Sequence, residues 1–182
     1  MASYNVQPLK TQDEISTFKF FLSRNKYGER DVFLFLLGIN TGLRMSDIVK
    51  LTVRDVTETK YVIEQKTGKR RRLSLDGMKD IINQYTLGMQ PDEYLFKSRE
   101  GGFIEVGTVW KIFNKAAREM GRSDLGTHTC RKTFGYHYYK RTKDIATLMI
   151  IFNHSSESIT KRYIGITDDE IDNSLVDFKL GF

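Results

Sequence analysis

The sequence predicts a mainly α domain with a small three-stranded antiparallel sheet. Three observations carry this reading. Apolar residues recur at helical spacing along most of the chain, as Ile15, Phe18 and Leu22 do. Short strand-like runs cluster between Val53 and Leu75, with Thr67-Gly68-Lys69 as a turn. No strand–helix–strand alternation occurs, which argues against a doubly wound nucleotide-binding sheet. A chain of 182 residues is one domain and buries enough surface to fold without a disulfide or metal.

The elements follow in order. Thr11-x-x-Glu14 has the form of a capping box and opens a helix over about 12–25. A very apolar helix runs from about Arg30 to Asn40 and stops at Gly42. Ser46 starts a short helix through Leu51. Strands are expected at Val53–Val56, Lys60–Gln65 and Arg71–Leu75, the last two forming a hairpin. Asp76 then caps a helix to about Thr86, and Thr108 caps another to about Met120. Gly126-Thr127 opens a helix to about Lys140, and short helices follow at about 144–152 and 156–164. Thr167-x-x-Glu170 is a second capping box, after which Ile171, Leu175 and Phe178 share one apolar face.

Charge narrows the function classes. The chain holds 29 Lys and Arg against 23 Asp and Glu, a net +6. The hairpin window from Lys60 to Leu75 carries six basic residues and one acid, Glu64; residues 168–182 carry a net −4. A basic body with an acidic tail fits a polyanionic partner, nucleic acid before membrane. The longest apolar run, Val32 to Ile39, is too short to span a bilayer, and the N-terminus lacks a signal-peptide core. The lone Cys130 excludes a disulfide framework and fits a reducing compartment. The expectation is a cytoplasmic, DNA-associated domain with no membrane partner.

Reactive residues concentrate late in the chain. His128, His137, His154 and Cys130 lie within one 27-residue stretch, which raises a zinc site. The i,i+2 spacing of His128 and Cys130 and the lack of CxxC or HExxH argue against it, so no metal is expected. No Walker, dinucleotide or EF-hand motif occurs, and no cofactor is expected. His128 and Arg131 share a helix face. Arg44 follows a helix stop, and the hairpin supplies lysines. This is a toolkit for a phosphate whose charge grows in a transition state. Nine tyrosines are candidate nucleophiles, and composition does not choose among them.

The order of these pieces resembles the tyrosine recombinase family, which includes phage integrases and the Xer and Cre branches. TGLRMSDI at 41–48 looks like the first-arginine motif, HTCR at 128–131 the His-x-x-Arg motif, and FNHSS at 152–156 the second-histidine motif. KRYIG at 161–165 places a tyrosine nine residues after His154, and EQKTGKRRRLSL at 64–75 looks like the lysine-bearing hairpin. The resemblance runs from about 11 to 178 and implies the tyrosine recombinase catalytic-domain fold. It implies catalytic roles for Arg44, Lys66, His128, Arg131, His154 and Tyr163, with Lys69 the fallback for the lysine. Asp47 is either an anchor for Arg44 or a helix cap. DNA contacts are expected from Lys69, Arg70, Arg71, Arg72 and Lys132, then Lys140 and Arg141. Strand alternation prevents the whole basic run from touching DNA at once.

The implied activity is DNA cleavage and rejoining through a 3′-phosphotyrosine, without metal or ATP. Relaxation of the type IB topoisomerase kind is a near neighbour. A DNA-binding module without the full reaction is the alternative. Family members usually carry a separate N-terminal DNA-clamping domain, and with the first-arginine motif at residue 41 none is expected within these 182 residues. The expectation is therefore a single catalytic domain over 1–182, with a basic core to about 166 and an acidic tail from 167. That tail either folds back on its own core or docks on a neighbouring protomer in a homo-oligomer on DNA.

Overall fold

A computed structural model describes residues 6–166 and 175–181 of the chain. Helices α1 (Gln12–Ser23), α2 (Gly28–Thr41) and the single turn α3 (Met45–Ile48) come first. Strands β1 (Tyr61–Ile63) and β2 (Arg70–Arg72) follow, then α4 (Lys79–Tyr85), α5 (Val106–Glu119), α6 (Thr127–Thr142), α7 (Ile145–Phe152) and α8 (Glu157–Ile164). The capping box opens α1 as expected: Thr11 Oγ1 accepts from the Glu14 N–H, and the Glu14 carboxylate accepts from the Thr11 N–H.

The main core lies between α1, α2 and α5. Phe18, Phe35 and Phe113 meet there edge to face, with ring centroids 5.0, 5.4 and 6.3 Å apart. A second, smaller core joins α7 and α8 to α6. Leu148, Phe152 and Ile164 form it, with Phe134, Tyr138, Tyr139 and Tyr163 packed on its border. Gly135 of α6 makes that approach close. A Cβ there would stand 2.6 Å from Ile164 Cγ2 and 2.7 Å from Phe152 Cε2. The two cores matter for function because His154 and Tyr163 ride on the smaller one and Arg44 on the larger. Helix α6 belongs to both.

The sheet has two strands among the described residues, not three. Tyr61, Val62 and Ile63 pair antiparallel with Arg72, Arg71 and Arg70. The strand expected at 53–56 is helical, continuing as a π-turn over Asp55–Thr59. Thr52 and Asp55 cap it reciprocally. The Asp55 carboxylate accepts from the Thr52 N–H and hydroxyl, both at 2.8 Å, and Thr52 Oγ1 accepts from the Asp55 N–H at 3.3 Å. That local satisfaction of backbone groups outweighs the β preference of Val53 and Val56, which are both buried.

Two other helix starts differ. Asp76 does not cap its helix; a 3₁₀ turn over Asp76–Met78 leads into α4, and the Asp76 carboxylate sits 3.7 Å from Lys60 Nζ. Helix α5 begins at Val106 after an extended Glu105, so Thr108 lies inside its first turn. The capping box at Thr167–Glu170 and Ile171 lie outside the described residues. Leu175, Val176, Phe178 and Leu180 are all exposed. No helix among the described residues is long and apolar enough to cross a membrane.

Candidate active site

The site grows from the end of α2. Gly42 takes φ +62°, the left-handed conformation that ends a helix, and a Cβ there would stand 2.4 Å from Phe134. Helix ends leave backbone carbonyls without helical partners, and these carry partial negative charge. Here arginines take them. Arg71 of β2 donates through Nη2 to the Thr41 carbonyl. Arg131 of α6 donates through Nη1 to the Gly42 carbonyl at 2.5 Å. Its Nη2 reaches the Phe152 carbonyl, the last residue of α7, at 3.2 Å. Arg131 thus bridges two helix C-termini, and its guanidinium lies 4.4 Å over the Phe152 ring. It is 4% exposed, and burial draws its pKa down to about 10.

His154 is placed by backbone geometry. Asn153 caps α7 in the left-handed conformation, and the His154 N–H reaches back to the Met149 carbonyl at 2.9 Å. Its Nδ1 lies 3.0 Å from Thr160 Oγ1, and that hydroxyl donates to the Ser156 carbonyl at 3.1 Å. With the hydroxyl proton committed there, Nδ1 carries the hydrogen to Thr160, and Nε2 remains for a ligand.

Tyr163 lies in the last turn of α8, which Ser156 caps at one end and Gly165 at the other. Its ring is 5.1 Å from His154 and 5.4 Å from Phe152, edge to face. Its hydroxyl is 3.4 Å from His128 Nδ1. Burial raises the Tyr163 pKa against the opposing charges of Arg131 and Arg44. The phenol is therefore protonated at neutral pH. His128 is the reverse: its ring keeps an exposed edge, but partial loss of solvent, then the charges of Lys132, Arg131, Arg44 and Lys66, hold its pKa below the ordinary histidine value. His154 is also lowered, by burial and by Arg131 and Arg44. A neutral imidazole thus faces a neutral phenol within a field of fixed cations.

Arg44, extended between Gly42 and α3, is held by Glu64 at 2.6 Å. Glu64 is buried, and its other oxygen lies 3.5 Å from Arg71 Nη1. Burial pushes the Glu64 pKa up, but the Arg44 bond and the charges of Arg44, Arg131 and Arg71 leave it below the ordinary carboxylate value. Asp47 is also buried. One of its oxygens accepts from the Gln65 N–H at 2.9 Å, and the other has no hydrogen-bond partner. Burial raises its pKa. Asp47 therefore ties α3 to the hairpin.

The remaining expected residues divide. Lys66 is exposed on the turn after β1, and its charge acts on His128. Lys69 donates to Asn153 Oδ1 at 2.5 Å. Arg70 and Arg72 are exposed, with Arg70 stacked 4.0 Å over Tyr61, while Arg71 points inward between them. Lys132 donates to the Val6 carbonyl at 2.6 Å and lies 5.2 Å over the Tyr163 ring. His137 contacts the Leu9 carbonyl through Nε2 at 2.9 Å, and Cys130 is buried against Gly38. Among the described residues no group of three or more His, Cys, Asp and Glu could hold a metal ion. Glu64 and the inward role of Arg71 were not foreseen. The alternation of β2 signals that the basic run splits between two faces, but not which arginine turns inward.

Residues 10–170 match the phage integrase family. The chain belongs to that family, and its fold is that of the tyrosine recombinase catalytic domains. It is 48% identical over 169 residues to the "Probable integrase/recombinase YoeC" of Bacillus subtilis, covering 90% of this chain and 92% of that protein. It is 28% identical over 152 residues to tyrosine recombinase XerD of Corynebacterium glutamicum, where it spans 50% of the relative's length. Among solved structures, XerA recombinase superposes with a TM-score of 0.71 at 18% identity, covering 97% of this chain and 65% of that one. A lambda integrase dimer bound to a COC′ core site superposes with a TM-score of 0.70 at 18% identity, covering 100% and 53%.

Proposed function

We propose that this domain cleaves and rejoins DNA strands through a covalent 3′-phosphotyrosine on Tyr163. The observation that carries the proposal is the 3.4 Å approach of His128 Nδ1 to Tyr163 Oη beside the Arg131 guanidinium. Tyr163 Oη attacks phosphorus, the bond from phosphorus to O5′ breaks, and the tyrosine proton passes to His128. Lys66 protonates the departing O5′. Arg44 and Arg131 hold the non-bridging oxygens, and His154 Nε2 donates to one of them as the imidazolium, which the phosphate charge favours. A 5′-hydroxyl from another strand then attacks the phosphotyrosine and regenerates Tyr163. DNA is held around the site chiefly through phosphate contacts from Arg70 and Arg72. A nicked suicide DNA substrate tests the reading: the wild type should trap a covalent adduct on the 3′-phosphate strand and release a 5′-hydroxyl fragment. Cleavage that leaves the adduct on the 5′ side would sink it.

The pH dependence follows from His128. Its lowered pKa keeps it neutral, and able to accept the proton, throughout neutral pH. Cleavage is therefore expected to be lost only as pH falls below the ordinary histidine value of about 6.5. His128→Gln should slow cleavage and flatten that acidic limb. A single-turnover rate–pH profile of both proteins checks it.

The C-terminal segment is proposed to dock on a neighbouring protomer. A cleft of about 820 Å³ between α1, α2 and α6 supports this: Ile15, Leu36 and Ile39 line it beside Lys19, Lys140 and Arg141. The segment offers the complement, exposed Leu175 and Phe178 within a stretch of net −4. Removing residues 168–182 should leave single-protomer DNA binding intact and abolish larger complexes in sedimentation on DNA. Unchanged assembly would refute the docking.

A further inference from the structure

We propose that Glu64 is a positioning residue: it holds the hairpin turn that carries Lys66 against the site, with Arg44 and Arg71 as anchors. The inference rests on the reading of Lys66 as proton donor.

The hairpin needs such a tie. Two strands of three paired residues are marginal by themselves, and the turn between them is exposed at Gln65, Lys66, Gly68 and Lys69. Glu64 closes that turn with its backbone. Its N–H donates to the Lys69 carbonyl at 3.0 Å, and its own carbonyl accepts from Gly68 at 2.8 Å and Thr67 at 3.3 Å. Its side chain then fastens the turn to the protein. Oε2 accepts from Arg44 Nη1 at 2.6 Å and from the Thr67 hydroxyl at 3.2 Å, and Oε1 faces Arg71 Nη1 at 3.5 Å. One residue therefore both shapes the turn and anchors it, within two positions of Lys66. Two neighbours extend the attachment. Gln65 binds Asp47 through its N–H and the Ser46 carbonyl through Nε2, both at 2.9 Å, and Lys69 reaches Asn153, the residue before His154.

A carboxylate is an unfavourable group beside a phosphate site, because it repels the ligand. Its presence there asks for a compensating role. The charges of Arg44 and Arg71 both disfavour the charge on Arg131, and that of Arg44 disfavours the charge on Arg71. A buried anion among them offsets that repulsion and lets Arg44 lie close to the hairpin.

The test uses two nicked substrates, one ordinary and one with sulfur replacing the bridging 5′-oxygen. A thiolate leaves without a proton, so the sulfur substrate does not need the lysine. Glu64→Gln keeps the shape and removes the charge. It should slow cleavage of the ordinary substrate by roughly 10- to 100-fold, the size of a misplaced reacting group. On the sulfur substrate most of that loss should disappear, leaving only what a loosened Arg44 costs. Both rates come from one preparation, so any unfolded fraction cancels in their ratio. Glu64→Gln slowed equally on both substrates would overturn the proposal, since the whole defect would then lie in gripping the phosphate. Wild-type speed on the ordinary substrate would overturn it too. Lys66→Ala, run alongside, separates the underlying reading. If sulfur rescues Glu64→Gln but not Lys66→Ala, Lys66 is not the donor, and Glu64 positions another donor on the same turn.

Discussion

Tyr163→Phe is expected to abolish the covalent adduct on a nicked DNA substrate while leaving the fold and DNA binding intact. The ring is retained, so its edge-to-face contacts with His154 at 5.1 Å and Phe152 at 5.4 Å survive. Only the hydroxyl is lost, and its neighbour is His128 at 3.4 Å. Because burial leaves that hydroxyl protonated in the free protein, its removal deletes no charge and strands no buried ion. The loss of cleavage should be several orders of magnitude, on the order of 10⁶-fold as for nucleophiles acting within a coupled unit. An adduct formed at an appreciable rate by the Phe variant would show that another side chain attacks. The variant should match wild type in thermal midpoint and in gel-shift affinity.

Arg131→Lys is the second large effect, and it should reduce both cleavage and stability. The substitution keeps the positive charge, so a purely long-range role predicts little change. The geometry predicts otherwise. The guanidinium donates to Gly42 and Phe152 at 2.5 and 3.2 Å and stacks over the Phe152 ring. An ammonium on a shorter reach cannot serve two carbonyls and a phosphate together. Leaving one buried carbonyl unpaired costs about 1–3 kcal/mol. Losing one transition-state donor costs about 10²–10³-fold in rate. Thermal denaturation and single-turnover cleavage measure the two effects separately. A Lys variant with wild-type cleavage would refute the proposed grip on the phosphate.

The sequence displayed most of the helices because their signals are local. Thr11 and Glu14, Gly42, Asn153 and Ser156 each end or begin a helix through bonds spanning a few residues. The helix that replaces the strand expected at 53–56 is decided locally as well. Val53 and Val56 suit a strand or a helix, and the Thr52–Asp55 capping pair decides for the helix. The hairpin's basic run was legible as charge, and alternation showed that it must split. Which arginine turns inward was not legible. That depends on the Thr41 carbonyl and Glu64, and the former is thirty residues away.

By itself the sequence determined the family, the helical body and the order of the reactive residues, because motifs and caps are read along the chain. The tertiary structure alone decided what holds those residues. Arg131 is set by carbonyls 89 and 21 residues away, Tyr163 faces a histidine 35 residues away, and Glu64 meets Arg44 across 20. Such contacts arise where helix ends leave carbonyls unpaired and buried charges need partners. Both requirements are met only when distant segments pack together, so no spacing along the chain announces them.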